Sequence, residues 1–137
     1  MIAAITASAI LSTLALIHFY WAFGGTKGVA AAVPASRGQP LFKPGPMATT
    51  GVGIGLLGLA ALFFVTGVRL APQAAQWGLR TMTALAGLVF AARAVGDFRY
   101  LGFFKRAREG RFAWLDTYAY SPLCLALAIL AGAVALG

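Results

Sequence analysis

The sequence predicts an all-α fold, an integral membrane bundle of four helices in antiparallel, up-and-down order, and three observations carry that reading. Of 137 residues, 61% are hydrophobic and only 10% charged, too little polarity to cover an ordinary water-facing surface. The apolar residues fall into four runs of about 20, the length an α-helix needs to cross roughly 30 Å of hydrocarbon. Most of the cations gather between those runs, with Arg80 and Arg93 inside the third.

The first helix is expected over about residues 2–23. It carries no formal charge, only the hydroxyls of Thr6, Ser8, Ser12 and Thr13 and the imidazole of His18. A cleaved secretory signal would place a basic residue ahead of a shorter apolar core. Here the first cation is Lys27, after the run has ended, so the segment reads as a span.

The second helix is expected over 47–68, uncharged and rich in glycine. Gly53, Gly55 and Gly58 spell G-x-G-x-x-G, but a dinucleotide fingerprint needs a strand before it and an acidic residue about 20 positions later. The chain has no acid before Asp97. Close packing accounts better for the glycines: Gly51 and Gly55 form a G-x-x-x-G pair that Gly58 extends, a face on which another helix can approach closely. A helix of the same chain is favoured as that neighbour over a second copy.

The third helix is expected over 77–97, with Arg80 in its first turn and Arg93 near its end, and the fourth over 118–136. Pro122 sits in the first turn of the fourth, where proline costs least because the first amides lack helical partners. Residues 1–137 therefore read as a single transmembrane domain, its short second connection favouring antiparallel neighbours.

Orientation follows from the lysines and arginines, because loops rich in them stay in the cytoplasm. The first and third loops hold Lys27, Arg37, Lys43, Arg99, Lys105, Arg106, Arg108 and Arg111, and the opposite side holds Arg69 and Arg80. Eight cations against two place both long loops inside and both termini outside. The net charge of +8 then suits anionic lipid head groups, each nearby cation contributing about 1 kcal/mol at the surface. Nucleic-acid binding, the other use of such a charge, has no soluble domain to carry it.

The lone cysteine, Cys124, excludes an internal disulfide and any multi-cysteine metal site, and is expected to be an inert thiol buried between helices. The first loop, with Pro34, Pro40, Pro44 and Pro46, is expected to run extended along the interface. One helical turn is expected near Val29 to Val33, and Leu41 and Phe42 should dip inward. It shows no nucleophile, base or metal-ligand spacing, and no cofactor is implied.

The stretch "RAVGDFRYLGFFKRAR", Arg93 to Arg108, holds the main site candidates. Arg93 and Asp97 stand four apart and share a face if the helix continues that far, so an ion pair is expected. With both long loops inside, "IHFYWAFGG" of the first helix approaches the same depth, and His18, Trp21, Arg93, Asp97, Arg99 and Tyr100 become ligand-binding candidates. Such a cluster is read first as structural, since ion pairs staple helix ends and Tyr and Trp mark the interface. A ligand, ion or proton site follows, because ionisable residues at membrane depth warrant a functional hypothesis. Catalysis comes last, and one histidine cannot by itself supply a histidine-rich metal or bis-histidine haem site.

"IHFYWAFGG", "LFKPGP", "RAVGDFRYLGFFKR" and "FAWLDTYAYSPLCL" resemble the recurring segments of a family of small bacterial membrane proteins, domain of unknown function 3995. The family motifs fall here on His18, Tyr20, Trp21, Gly24, Gly25, Pro44, Gly45, Arg93, Gly96, Asp97, Phe98, Arg99 and Tyr100. The resemblance implies a four-helix protein of the bacterial inner (plasma) membrane and brings no activity or cofactor. Two functional classes are left. One is a non-catalytic binder of a lipid, a hydrophobic small molecule or a partner, whether another membrane protein or a second copy. The other is a small transporter or membrane enzyme subunit using the His/Arg/Asp cluster for protons or anionic head groups; the internal repeat or paired broken helices common in transporters are missing.

Overall fold

The computed structural model describes residues 1–36 and 39–137; Arg37, one of the first-loop cations, lies outside them. The elements are α1 (Ile2–Ala22), α2 (Val29–Ala32), β1 (Ala35–Ser36), β2 (Gln39–Pro40), α3 (Pro46–Val68), α4 (Gln73–Val95), α5 (Gly110–Leu115) and α6 (Ser121–Leu136). A single wide π-turn, Asp116–Tyr120, joins α5 to α6. Four helices are long and apolar enough to cross a membrane: α1, α3, α4 and the continuous stretch Gly110–Leu136. The fold is a membrane four-helix bundle.

Small residues interleave with a few large ones inside the bundle, and most of its large aliphatic side chains lie outside. Ala7, Leu11, Ala60, Phe63, Leu127 and Ala131 form the buried centre, whereas Leu16, Ile54, Leu88 and Ile129 are exposed. That inversion is what lipid demands: tails are as apolar as leucine, so helices associate by close backbone approach and shared hydrogen bonds instead of by hiding greasy side chains. Ser8 donates to the Ala60 carbonyl (2.8 Å) across α1 and α3. Thr83 of α4 donates to the Thr66 hydroxyl of α3 (3.3 Å).

α1 packs chiefly on α3, and α4 on α6; α1 and α4 do not form a packed pair. Ala4 meets Gly67, Ser8 meets Ala60 and Phe19 meets Gly53, a register that climbs one helix while descending the other. Arg69, past the end of α3, donates to the Gly137 carbonyl, so the C-terminus lies beside the short α3–α4 connection. At the opposite end Tyr120 donates to the Ala31 carbonyl (3.0 Å), tying the last helix to the first loop. The two long loops thus share one end of the bundle.

Three expectations change. The third helix stops at Val95 and not at Asp97, because Gly96 takes a left-handed backbone (φ +96°) that glycine adopts without steric cost. The fourth begins at Gly110, well ahead of Tyr118. Its π-turn lies just before Pro122, whose missing amide and ring would break a regular ladder. Gly51, Gly55 and Gly58 face open space, so the glycine face packs on no helix among the described residues. The close approaches lie elsewhere on the same helix and on α4: a Cβ on Gly53 would stand 2.9 Å from the Phe19 ring, one on Gly67 would overlap the Ala4 methyl, and one on Gly87 would come within 2.8 Å of the Ala131 methyl.

Thermal melting in detergent tests that assignment. Gly67→Ala should lower stability by about 1–3 kcal/mol, as overpacking does. Gly55→Ala should be neutral or stabilising by up to about 1 kcal/mol through helix propensity. Equal losses at the two sites would show that the Ala4–Gly67 contact is not tight.

Candidate functional site

The six candidate residues separate into three places. Arg93 leaves α4 and reaches Asp116, with Nη2 2.7 Å from Oδ1. Asp97 does not pair with it. Beyond Gly96 the Asp97 carboxylate turns back on its own segment, where Oδ1 accepts from the amides of Arg99 (2.9 Å), Tyr100 (2.7 Å) and Leu101 (2.9 Å). Short acidic side chains favour such local capture, which competes with helix continuation. These amides, Leu101 foremost, hold the Asp97 carboxyl below its ordinary 3.8 against a smaller opposing effect of burial. Arg99 and Tyr100 stay in this turn, the guanidinium 5.1 Å from the ring centre.

The turn exists to bring Gly102 back under α4. Phe103 donates to the Ala94 carbonyl (2.8 Å) and Phe104 to Val95 (3.4 Å), satisfying carbonyls that the helix end leaves open. Gly96 and Gly102 cross so closely that a side chain on either would overlap the other's backbone surroundings, and both have positive φ. The Gly102 amide then donates to Asp116 Oδ2 (2.7 Å). Lys105 donates to the same oxygen (3.1 Å), to the Gly102 carbonyl (3.1 Å) and to Thr117 (2.6 Å).

Asp116 is 0% exposed, and the Lys105 side chain is 1% exposed. One carboxylate thus faces two cations, and Arg93 Nη1 is buried without a partner among the described residues. A buried charge survives only if paired and hydrogen-bonded. Every oxygen of Asp116 is engaged, which makes this a structural hub.

His18 and Trp21 lie elsewhere. They line a cleft of about 1010 Å³ enclosed by the end of α1, the first loop and the start of α3. The His18 Nδ1 stands 2.7 Å from the Leu14 carbonyl. A carbonyl can only accept, so Nδ1 carries the proton and Nε2 is left free. Trp21 packs edge-on against His18 at 5.2 Å and donates from Nε1 to the Lys27 carbonyl (2.8 Å), which fixes the turn closing the cleft. Val29, Val33, Phe42 and Val52 supply its apolar wall, Thr26, Lys43 and Thr49 its other polar groups.

The helix near Val29 forms as expected, followed by a two-residue ribbon in which Ala35 pairs with Pro40. Leu41 and Phe42 are exposed, Phe42 on the cleft rim. Cys124 is free and half-buried. Asp116, Lys43 and Tyr120 escaped the sequence reading. An acid isolated in "FAWLDTYAY", directly before an apolar run, was the available signal for Asp116, and Gly96-Asp97 was the signal for the early helix end. No group of three or more His, Cys, Asp or Glu able to hold a metal occurs among the described residues.

Two measurements test this arrangement. Asp116→Asn strips Arg93 and Lys105 of their counter-charge and should cost about 3–5 kcal/mol in detergent melting, with Asp97→Asn much milder because the amide keeps an acceptor oxygen. Equal losses would remove Asp116 from its central place. Asp97, with a depressed native value, stabilises the turn above pH 3.8, and that contribution fades as pH falls through the lower native value. A carboxyl titration followed by NMR should give a midpoint below 3.8; a midpoint at or above it would mean the three amides do not hold the carboxylate.

No curated protein and no solved structure matches the chain. The model of one family, described as protein of unknown function, matches residues 11–131. That stretch takes in both of the sites described above and all but the outermost turns of the bundle, and the chain belongs to this family, DUF3995.

Proposed function

We propose that this protein is a non-catalytic membrane protein of the bacterial inner membrane that binds an amphiphile, a lipid or hydrophobic small molecule, in the cleft between α1, the first loop and α3. Both long loops face the cytoplasm and both termini the outside. The carrying observation is the cleft itself: it is large enough for part of a lipid, its wall is apolar, and its few polar groups, His18, Thr26, Lys43 and Thr49, can fix an orientation. Sites of that make-up are the usual form of small-molecule pockets. The orientation rests on charge, since the end carrying the long loops holds the cations that favour the cytoplasm.

The separation of His18 from the Arg93 and Asp97 positions speaks against a relay through all three. Arg93 is committed to Asp116 and Asp97 to three amides, so neither is free to exchange protons with an imidazole on a helix that does not pack against α4. Partner proteins and second copies have less support than an amphiphile, because the glycine face that could seat another helix is only an open apolar surface.

Filling the cleft tests the reading. Ala48 lines it from the first turn of α3 and is exposed, so Ala48→Trp adds bulk without disturbing the core. Purified in mild detergent, the variant should melt as the parent does and carry about tenfold less bound amphiphile by mass spectrometry, a loss near 1.4 kcal/mol. Unchanged bound amphiphile would rule the cleft out.

A further inference from the structure

Resting on the cleft reading above, we infer that its occupant is an amphiphile with a negatively charged phosphate head group, the phosphate paired with Lys43 and a head-group hydroxyl donating to His18 Nε2. The ionisable side chains lining the cleft are His18 and Lys43, both basic. All three acids of the chain lie elsewhere, at Asp97, Glu109 and Asp116. Asp97 and Asp116 are spent on partners of their own, and neither salt bridge among the described residues involves Lys43. Lys43 is exposed at the cleft mouth, and the apolar wall beside it lowers the local dielectric, so its ammonium attracts an anion more strongly than one surrounded by bulk solvent.

The second half of the inference comes from the imidazole. With Nδ1–H donating to Leu14, Nε2 is the ring nitrogen turned to the cleft, and in the imidazole form it presents a lone pair there. A phosphate oxygen is itself an acceptor and gains nothing there, whereas a hydroxyl on the phosphate's substituent does. The cleft opens where α3 begins, and the positive end of that helix, 23 residues long, adds to the field of Lys43 with the same sign. Trp21, Phe42 and Val52 supply the surface for the hydrocarbon beyond the head group.

The test uses the full chain in neutral detergent, titrated with short-chain phosphatidylglycerol and with phosphatidylcholine of the same tails, and read by native mass spectrometry. The glycerol head should bind about tenfold more tightly, equivalent to 1.4 kcal/mol. Lys43→Gln should erase that preference, Lys43→Arg should restore most of it, and Arg80→Gln, at the other end of the bundle, should leave it intact. His18→Phe should weaken the glycerol lipid and spare the choline lipid. Equal affinity for the two lipids, or a preference indifferent to Lys43, would overturn the head-group assignment while leaving the cleft in place. If Ala48→Trp leaves both lipids bound as before, the cleft reading fails, and the head-group assignment with it. Free glycerol phosphate separates the sources of the same chemistry: competition at micromolar concentration identifies a water-soluble phosphate, and its absence identifies the lipid.

Discussion

The carboxylate of Asp116 is the constraint on which the long-loop end of this protein depends. It draws together Arg93 from α4, the Gly102 amide and Lys105 from the third loop, and the start of the last helix. Its own burial is complete, so the cost of desolvation has to be met by all of these partners at once. Two features of the backbone make that possible. The glycine crossing at Gly96 and Gly102 lets the loop return beneath the helix it has just left, and the π-turn of Asp116–Tyr120 shifts the register of the last helix just before Pro122.

From that hub the order passes to the first loop. The π-turn ends at Tyr120, whose hydroxyl holds the Ala31 carbonyl, and Phe112 packs beside the Tyr120 ring at 5.9 Å. Ala31 belongs to α2, and its neighbours Ala30 and Ala32 form part of the cleft wall. A charge cluster buried under the third loop and an apolar cleft under the first are therefore mechanically continuous.

The helices themselves hold by a different principle. In water, a bundle would turn most of its leucines inward; here Ala4, Ala7, Ala60, Gly87 and Ala131 occupy many of the contacts around Leu11, Phe63 and Leu127, and a large share of the bulky aliphatic side chains face outward. Dispersion gains from such close approach are small per atom pair and substantial in sum. Hydroxyls add to them: Ser8, Thr66 and Thr83 spend their donors on carbonyls or on one another instead of leaving them in hydrocarbon.

What the sequence determined by itself was the bundle: four spans, the small helix near Val29 and the charge difference between the two kinds of connection, all of which follow from hydropathy, length and the placement of cations. These are properties of segments, and segments are legible one at a time. His18 and Trp21, grouped by depth with Arg93 and Asp97 in the sequence, pack edge-on against each other at one cleft, apart from those two residues. The partners of charges were decided only in three dimensions. Arg93 and Asp97 have ion-pair spacing, yet a helix that ends at Gly96 removes the shared face on which that spacing depends, and the true partner, Asp116, is distant along the chain. The same holds for the glycines: Gly51, Gly55 and Gly58 satisfy a packing pattern, but which side of α3 meets α1 is set by the fit of Ala4, Ser8 and Phe19 to Gly67, Ala60 and Gly53. Periodicity marks a face as able to pack; only the neighbouring helix decides which face is used.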